Sequence, residues 1–138
     1  MSFNPFAQFQ RTGQVNKFRN KKVEVDGIVF DSKKESKIYE ELKALKQCGE
    51  IASFERQVTF ELVPNQTEIV KGEDKKGRPI EKTKVVERAV TYIADFVVTY
   101  PDGEVVVIDA KGNRGIDQKY PIKRKLMLWR HKIKIKEV

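Results

Sequence analysis

Cysteine occurs once, at Cys48, and histidine once, at His131. A lone cysteine closes no internal disulfide, and one residue of each kind cannot assemble a Cys/His zinc cluster. No apolar run is long enough to span a bilayer. The opening stretch, MSFNPFAQFQRTGQVNKFRNKK, lacks the apolar core of a secretory signal. These absences lead us to expect a disulfide-free cytoplasmic protein with no membrane partner. Acids are missing from residues 1–22, which carry five Lys/Arg.

The chain of 138 residues has the size of one domain with a real core. Its net charge of +8 is unevenly spread. Residues 117–138 hold eight Lys/Arg against Asp117 and Glu137, whereas the body between the two ends is mildly acidic. Basic ends point to a polyanion partner, because each cation that neutralises a phosphate also releases a condensed counterion. We read residues 1–22 as a basic N-terminal arm and 23–138 as one domain.

The domain pattern is mixed. KVEVDGIVF reads as a short hairpin about Asp26-Gly27. DSKKESKIYEELKALKQCGE predicts a helix capped by Ser32, with Ile38, Leu42 and Leu45 on one face and Gly49 as its stop. SFERQVTFELV alternates as a strand, with Val58, Phe60 and Leu62 on one side. Residues 64–84 are polar and read as a long hairpin tip or loop. VVERAVTYIADFVVTY predicts one long strand, turned by PDG into EVVVIDAKG. A helix from about Pro121, with Ile122, Leu126 and Trp129 on one side in the core, leads to a final strand in KIKIKEV. The order implies an α/β or α+β fold, a central mixed sheet flanked by helices.

The PDG turn allows a geometric inference. Closing Tyr100 against Glu104 places Asp95 directly opposite Asp109, on one face, with Cα atoms roughly 4.5–5.5 Å apart. Lys111, two residues on, shares that face by the strand's period. Opposed like charges repel, so the pair needs a partner. Lys111 can neutralise one acid as an ion pair; a divalent cation such as Mg²⁺, held by both carboxylates, accommodates two. Both readings stay open. Glu35 is a third acid within the apolar stripe of the first helix, although SKKE (Ser32 to Glu35) also fits a capping box.

Taken together, YIADF and IDAK, with thirteen residues between Asp95 and Asp109, resemble the PD-(D/E)XK nuclease superfamily. The preceding helix with Glu35 and the basic helix downstream fit the same pattern. The layout is similar to an uncharacterised phage and prophage family placed in that superfamily. The resemblance implies a restriction-endonuclease-like core and metal-dependent hydrolysis of DNA phosphodiesters, with Mg²⁺ as cofactor and Mn²⁺ as substitute. It implies Asp95 and Asp109 as metal ligands, with Glu35 as a third candidate and Lys111 beside the attacking water. Gln57 is a weaker transfer, a polar residue supporting the site. Ala94 and Asp109 stand where Pro and Glu are commoner in that family. Downstream, Lys119, Lys123, Arg124 and Lys125 are candidate phosphate contacts. DNA is the expected partner, a homodimer is compatible with the resemblance, and branched DNA is one substrate version. The alternative is a non-catalytic nucleic-acid-binding module that keeps the fold.

Overall fold

The computed structural model describes residues 22–110 and 118–138. The chain opens with strands β1 (Val23–Val25) and β2 (Ile28–Phe30), paired antiparallel. Asp26 and Gly27 both take positive φ, 54° and 75°, as a two-residue hairpin turn of matching twist requires. The Asp26 carboxylate accepts from Tyr39 OH at 3.2 Å and pairs with Lys43, which ties the hairpin to the next element.

Helix α1 spans Lys33–Gln47. Ser32 has extended backbone, and its Oγ accepts from Glu35 N at 3.2 Å, satisfying one of the first-turn donors. Ile38, Leu42 and Leu45 are buried at helical spacing. Each such side chain contributes roughly 1.5–3 kcal/mol by leaving water. Gly49, at φ 80°, donates to Lys46 O and lets the chain reverse.

The central sheet has the order β3-β6-β7-β8, with β3 Ser53–Val63, β6 Val90–Thr99, β7 Val105–Asp109 and β8 Lys136–Glu137. Its first two pairings are antiparallel and the last is parallel, so the sheet is mixed. The class is α+β, as expected. Residues 66–87 form a separate two-stranded hairpin, β4 (Gln66–Glu73) with β5 (Pro79–Glu87). Its tip is held by Asp74, whose carboxylate accepts from Lys76 N, Arg78 N and Arg78 Nε at 2.8–2.9 Å.

The expected single strand over 85–100 is two strands in different sheets. The break falls at Arg88 and Ala89, where the chain leaves the hairpin for the central sheet. Ala89 N there donates to Asn65 Oδ1 at 2.6 Å, so a side chain takes over from the strand ladder.

Helix α2 (Lys119–Leu126) runs into a π-helical turn, Met127–His131. Tyr120 and Met127 are its buried residues. Ile122 and Trp129 were expected in the core with Leu126, but both are exposed. The buried stripe is phased on Tyr120, and Ile122 lies two positions, about 200°, away from it.

Two hydrophobic clusters sandwich the sheet. One joins Phe30, Ile38, Leu42, Phe96, Val98 and Ile108. The other joins Leu62, Tyr92, Ala94, Val107, Tyr120 and Met127. Even-numbered residues of β6 therefore serve both: Phe96 and Val98 the first, Tyr92 and Ala94 the second. β3 does the same, with Phe54 packed against the first cluster and Phe60 and Leu62 in the second. The strands exchange faces between Arg56↔Phe96 and Val58↔Ala94. Gln57, at φ 51°, and Asp95 occupy that step. A left-handed residue absorbs the extra rotation that inverts the alternation.

Candidate active site

The turn after β6 fixes the register. Tyr100 N donates to Glu104 O at 2.8 Å and Gly103 N to Tyr100 O at 2.9 Å, with Gly103 at φ 91°. Phe96 then faces Ile108 and Val97 faces Val107, as the sequence implied. One residue beyond the Phe96–Ile108 pair come Asp95, in the middle of β6, and Asp109, the last residue of β7. Both are buried, at 8% and 3% exposure, and their carboxyl groups share a hydrogen bond. Asp95 Oδ2 also accepts from Ala110 N at 2.9 Å.

Burial, the Asp109 carboxyl and the charge of Glu35 push the Asp95 pKa up to about 7. Asp95 therefore keeps its proton up to near neutral pH. Glu35 is itself buried, at 6% exposure, on the sheet-facing side of α1. Its charge reaches Asp95, yet among the described residues no group of three or more His, Cys, Asp or Glu is arranged to hold a metal ion. The ligand set the geometry supports is the Asp95–Asp109 pair, with Glu35 as a more remote charge. Two buried carboxylates in mutual repulsion are hard oxygen donors, and they fit a Mg²⁺-sized cation that keeps several waters.

Two tyrosines complete the acid wall, and the sequence alone did not single them out. Tyr92 OH donates to Asp109 Oδ2 at 3.1 Å. Burial and the neighbouring Asp109 drive its pKa far above the ordinary range, so it stays a donor. The Tyr120 ring stands 6.5 Å from that of Tyr92, and its hydroxyl donates to Glu137 Oε1 at 2.8 Å. Simple alternation places Tyr92, three residues before Asp95, on the opposite face. The face exchange brings it to Asp109.

Gln57 lies between the pairs Arg56↔Phe96 and Val58↔Ala94, exposed and in the left-handed conformation. Lys111 lies outside the described residues. Lys119 and Lys125 are exposed on α2. Arg124 pairs with Glu137 at 3.5 Å and lies 6.0 Å over the Tyr120 ring, which places it on the acid side of the helix. Lys123 is half-buried. His131, given no chemistry from the sequence, is structural: its Nε2 is 2.6 Å from Glu61 O and its ring packs on Phe60.

Fold and site thus define a mixed α+β domain with a buried acid pair, one acid in the middle of β6 and the other at the end of β7. The chain matches the family described as "Protein of unknown function (DUF1064)" over residues 15–137, and it belongs to that family. No curated protein and no solved structure matches it. Among the described residues, no helix is long and apolar enough to cross a membrane.

Proposed function

We propose that this chain is a metal-dependent DNA endonuclease with a restriction-endonuclease-like core, of the phage or prophage kind, acting in the cytoplasm of a bacterial host. The observation that carries the reading is the opposed pair Asp95 and Asp109, buried together at the cost of their mutual repulsion. A binding module gains nothing from acids turned toward phosphates, so the arrangement favours catalysis over the alternative of a non-catalytic nucleic-acid binder.

In this reading Asp95 and Asp109 hold Mg²⁺, or Mn²⁺ in its place, and Tyr92 fixes the rotamer of Asp109 by its hydrogen bond. When bound, the cation supplies charge neutralisation at the scissile phosphate and acidifies a water. Ala110 N orients the Asp95 carboxylate. Lys111, two residues beyond Asp109, is assigned to steadying the charge that develops as water replaces an ester oxygen. Lys119, Lys123, Arg124 and Lys125 grip backbone phosphates beside the acids, and a homodimer sets two such sites on one substrate.

The test is incubation with supercoiled, linear and four-way-junction DNA in Mg²⁺, Mn²⁺ or EDTA. Cleavage is expected with either metal and none in EDTA, and Asp95→Asn and Lys111→Ala should abolish it while leaving DNA binding intact. No cleavage of any substrate with either metal would overturn the reading. Wild-type rates in both variants would move the reaction elsewhere on the chain.

A further inference from the structure

The C-terminal segment contains a feature that the acid pair does not use. Trp129 is 72% exposed, and Leu128 and Ile122 nearby are 51% and 60% exposed. Isolated exposed aliphatics are ordinary, but an indole left open beside two large apolar side chains is not. The turn that carries the tryptophan is anchored. Met127, two residues before it, is fully buried. Arg130, the next residue, donates to Leu62 O at 3.1 Å and to Glu61 Oε1 at 3.0 Å, and His131 meets Glu61 O. Lys132 closes the turn in the left-handed conformation, and its Nζ donates back to Trp129 O at 2.8 Å. The turn itself is π-helical, a geometry frequent at functional sites. Met127 on one side and Arg130 on the other thus anchor the backbone, and the indole is left exposed.

Charge decides the occupant. Residues 118–138 hold eight Lys/Arg and one acid, Glu137. A second copy docking through the same face would bring two strongly cationic surfaces together. An anionic bilayer wants an apolar stripe along a helix, and this helix has eight residues with Lys119, Lys123, Arg124 and Lys125 among them. A flat π-surface on a strongly basic segment suits a polyanion whose own apolar faces alternate with phosphates.

We propose that Trp129 is a stacking platform for an unpaired nucleic-acid base, with the exposed Lys125, one helical turn before it, for a flanking phosphate. The inference rests on the nuclease reading and sharpens it: the substrate class is DNA with unstacked bases, as at a junction, flap or single-stranded end. Paired bases inside a duplex offer no open face to an indole. Loss of one base–aromatic stack lowers affinity by about 5- to 150-fold.

Trp129 is the only tryptophan in the chain, so intrinsic fluorescence reports on this position alone. The full chain is titrated in EDTA, which prevents cleavage, with a fluorescein-labelled 12-nucleotide single strand and with the corresponding blunt duplex. We expect quenching of Trp129 by the single strand and little by the duplex. Trp129→Ala should weaken single-strand binding about 5- to 150-fold by anisotropy, with the salt slope retained, and Trp129→Phe should recover part of the loss. Binding without quenching, or unchanged affinity in Trp129→Ala, overturns the platform. So does a blue shift on phosphatidylglycerol vesicles that single-stranded DNA cannot compete away. A self-association constant that falls in Trp129→Ala would assign the face to a second copy instead. Cleavage is scored separately through Asp95→Asn, so loss of the platform and loss of the nuclease reading give different results.

Discussion

Replacing Asp95 with asparagine should stabilise the metal-free protein while removing its activity. In the wild type the Asp95 carboxyl has its pKa raised from 3.8 to about 7 by burial and by Asp109 and Glu35. A carboxyl whose folded pKa lies above its unfolded value contributes stability below the unfolded value. That contribution is lost as pH rises through the folded one. Ionising Asp95 in place therefore costs the fold on the order of 2–4 kcal/mol at pH 8, taking about 1.4 kcal/mol per pH unit. Asparagine keeps the acceptor that Ala110 N uses and offers Asp109 a neutral donor. For a domain of this size each kcal/mol moves Tm by roughly 3–6 °C. Thermal unfolding followed by circular dichroism in EDTA should give Asp95→Asn a gain of roughly 6–24 °C at pH 8 and about a third of that at pH 5. Saturating Mg²⁺ should raise the wild type and leave the variant where it was. A variant that melts at or below the wild type at pH 8, or a gain equal at both pH values, would refute the account of the acid pair.

Three further outcomes can be checked. Gln57→Gly should stabilise the fold by about 0.5–1 kcal/mol, because glycine escapes the left-handed penalty at φ 51° and returns part of it as unfolded-state entropy. Gln57→Val should instead cost about 1–2 kcal/mol, and urea midpoints that fail to rank Gly, Gln, Val would remove strain from the argument. Tyr92→Phe deletes the donor to Asp109 and should lower Mg²⁺ affinity about 10- to 100-fold by calorimetry, with a stability loss of about 1–3 kcal/mol. Unchanged metal affinity would leave Tyr92 as core alone. Replacing Lys123 and Arg124 together with alanine should weaken duplex binding and flatten its salt dependence by about one to two units of slope; an unaltered slope would clear both of phosphate contact.

The register of the acid pair was legible because a short turn settles it. Once PDG closes Tyr100 on Glu104, every pair back to Phe96 and Ile108 follows, and Asp95 and Asp109 are the next residues on. Helix α1 was legible for similar reasons: Ser32, the Ile38–Leu42–Leu45 spacing and Gly49 are local signals. What depends on rotation was not. The face exchange at Gln57 needs one residue at positive φ, and glutamine gives no hint of it. Tyr92 was hidden by the same step, since alternation counted it away from Asp95. The α2 stripe was misphased because Tyr120 anchors it, and tyrosine reads equally well as surface. Trp129 was drawn inward by carrying a 3.6-residue period through a turn that is π-helical. The strand break at Ala89 turns on Asn65, which lies 24 positions earlier in the chain.

The kink at Gln57 also guards against slippage. Most sheets resist a one-residue slide only through the polarity of their two faces. Here the inversion is built into the backbone, and any slide of β3 hands the left-handed conformation to a neighbour. On one side that neighbour is Val58, whose branched Cβ makes positive φ a true outlier. On the other it is Arg56, whose guanidinium would leave its seat 4.4 Å over the Phe30 ring. A locally unfavourable residue thus serves as a ratchet tooth, and what it holds in step is the strand on which Asp95 meets Asp109.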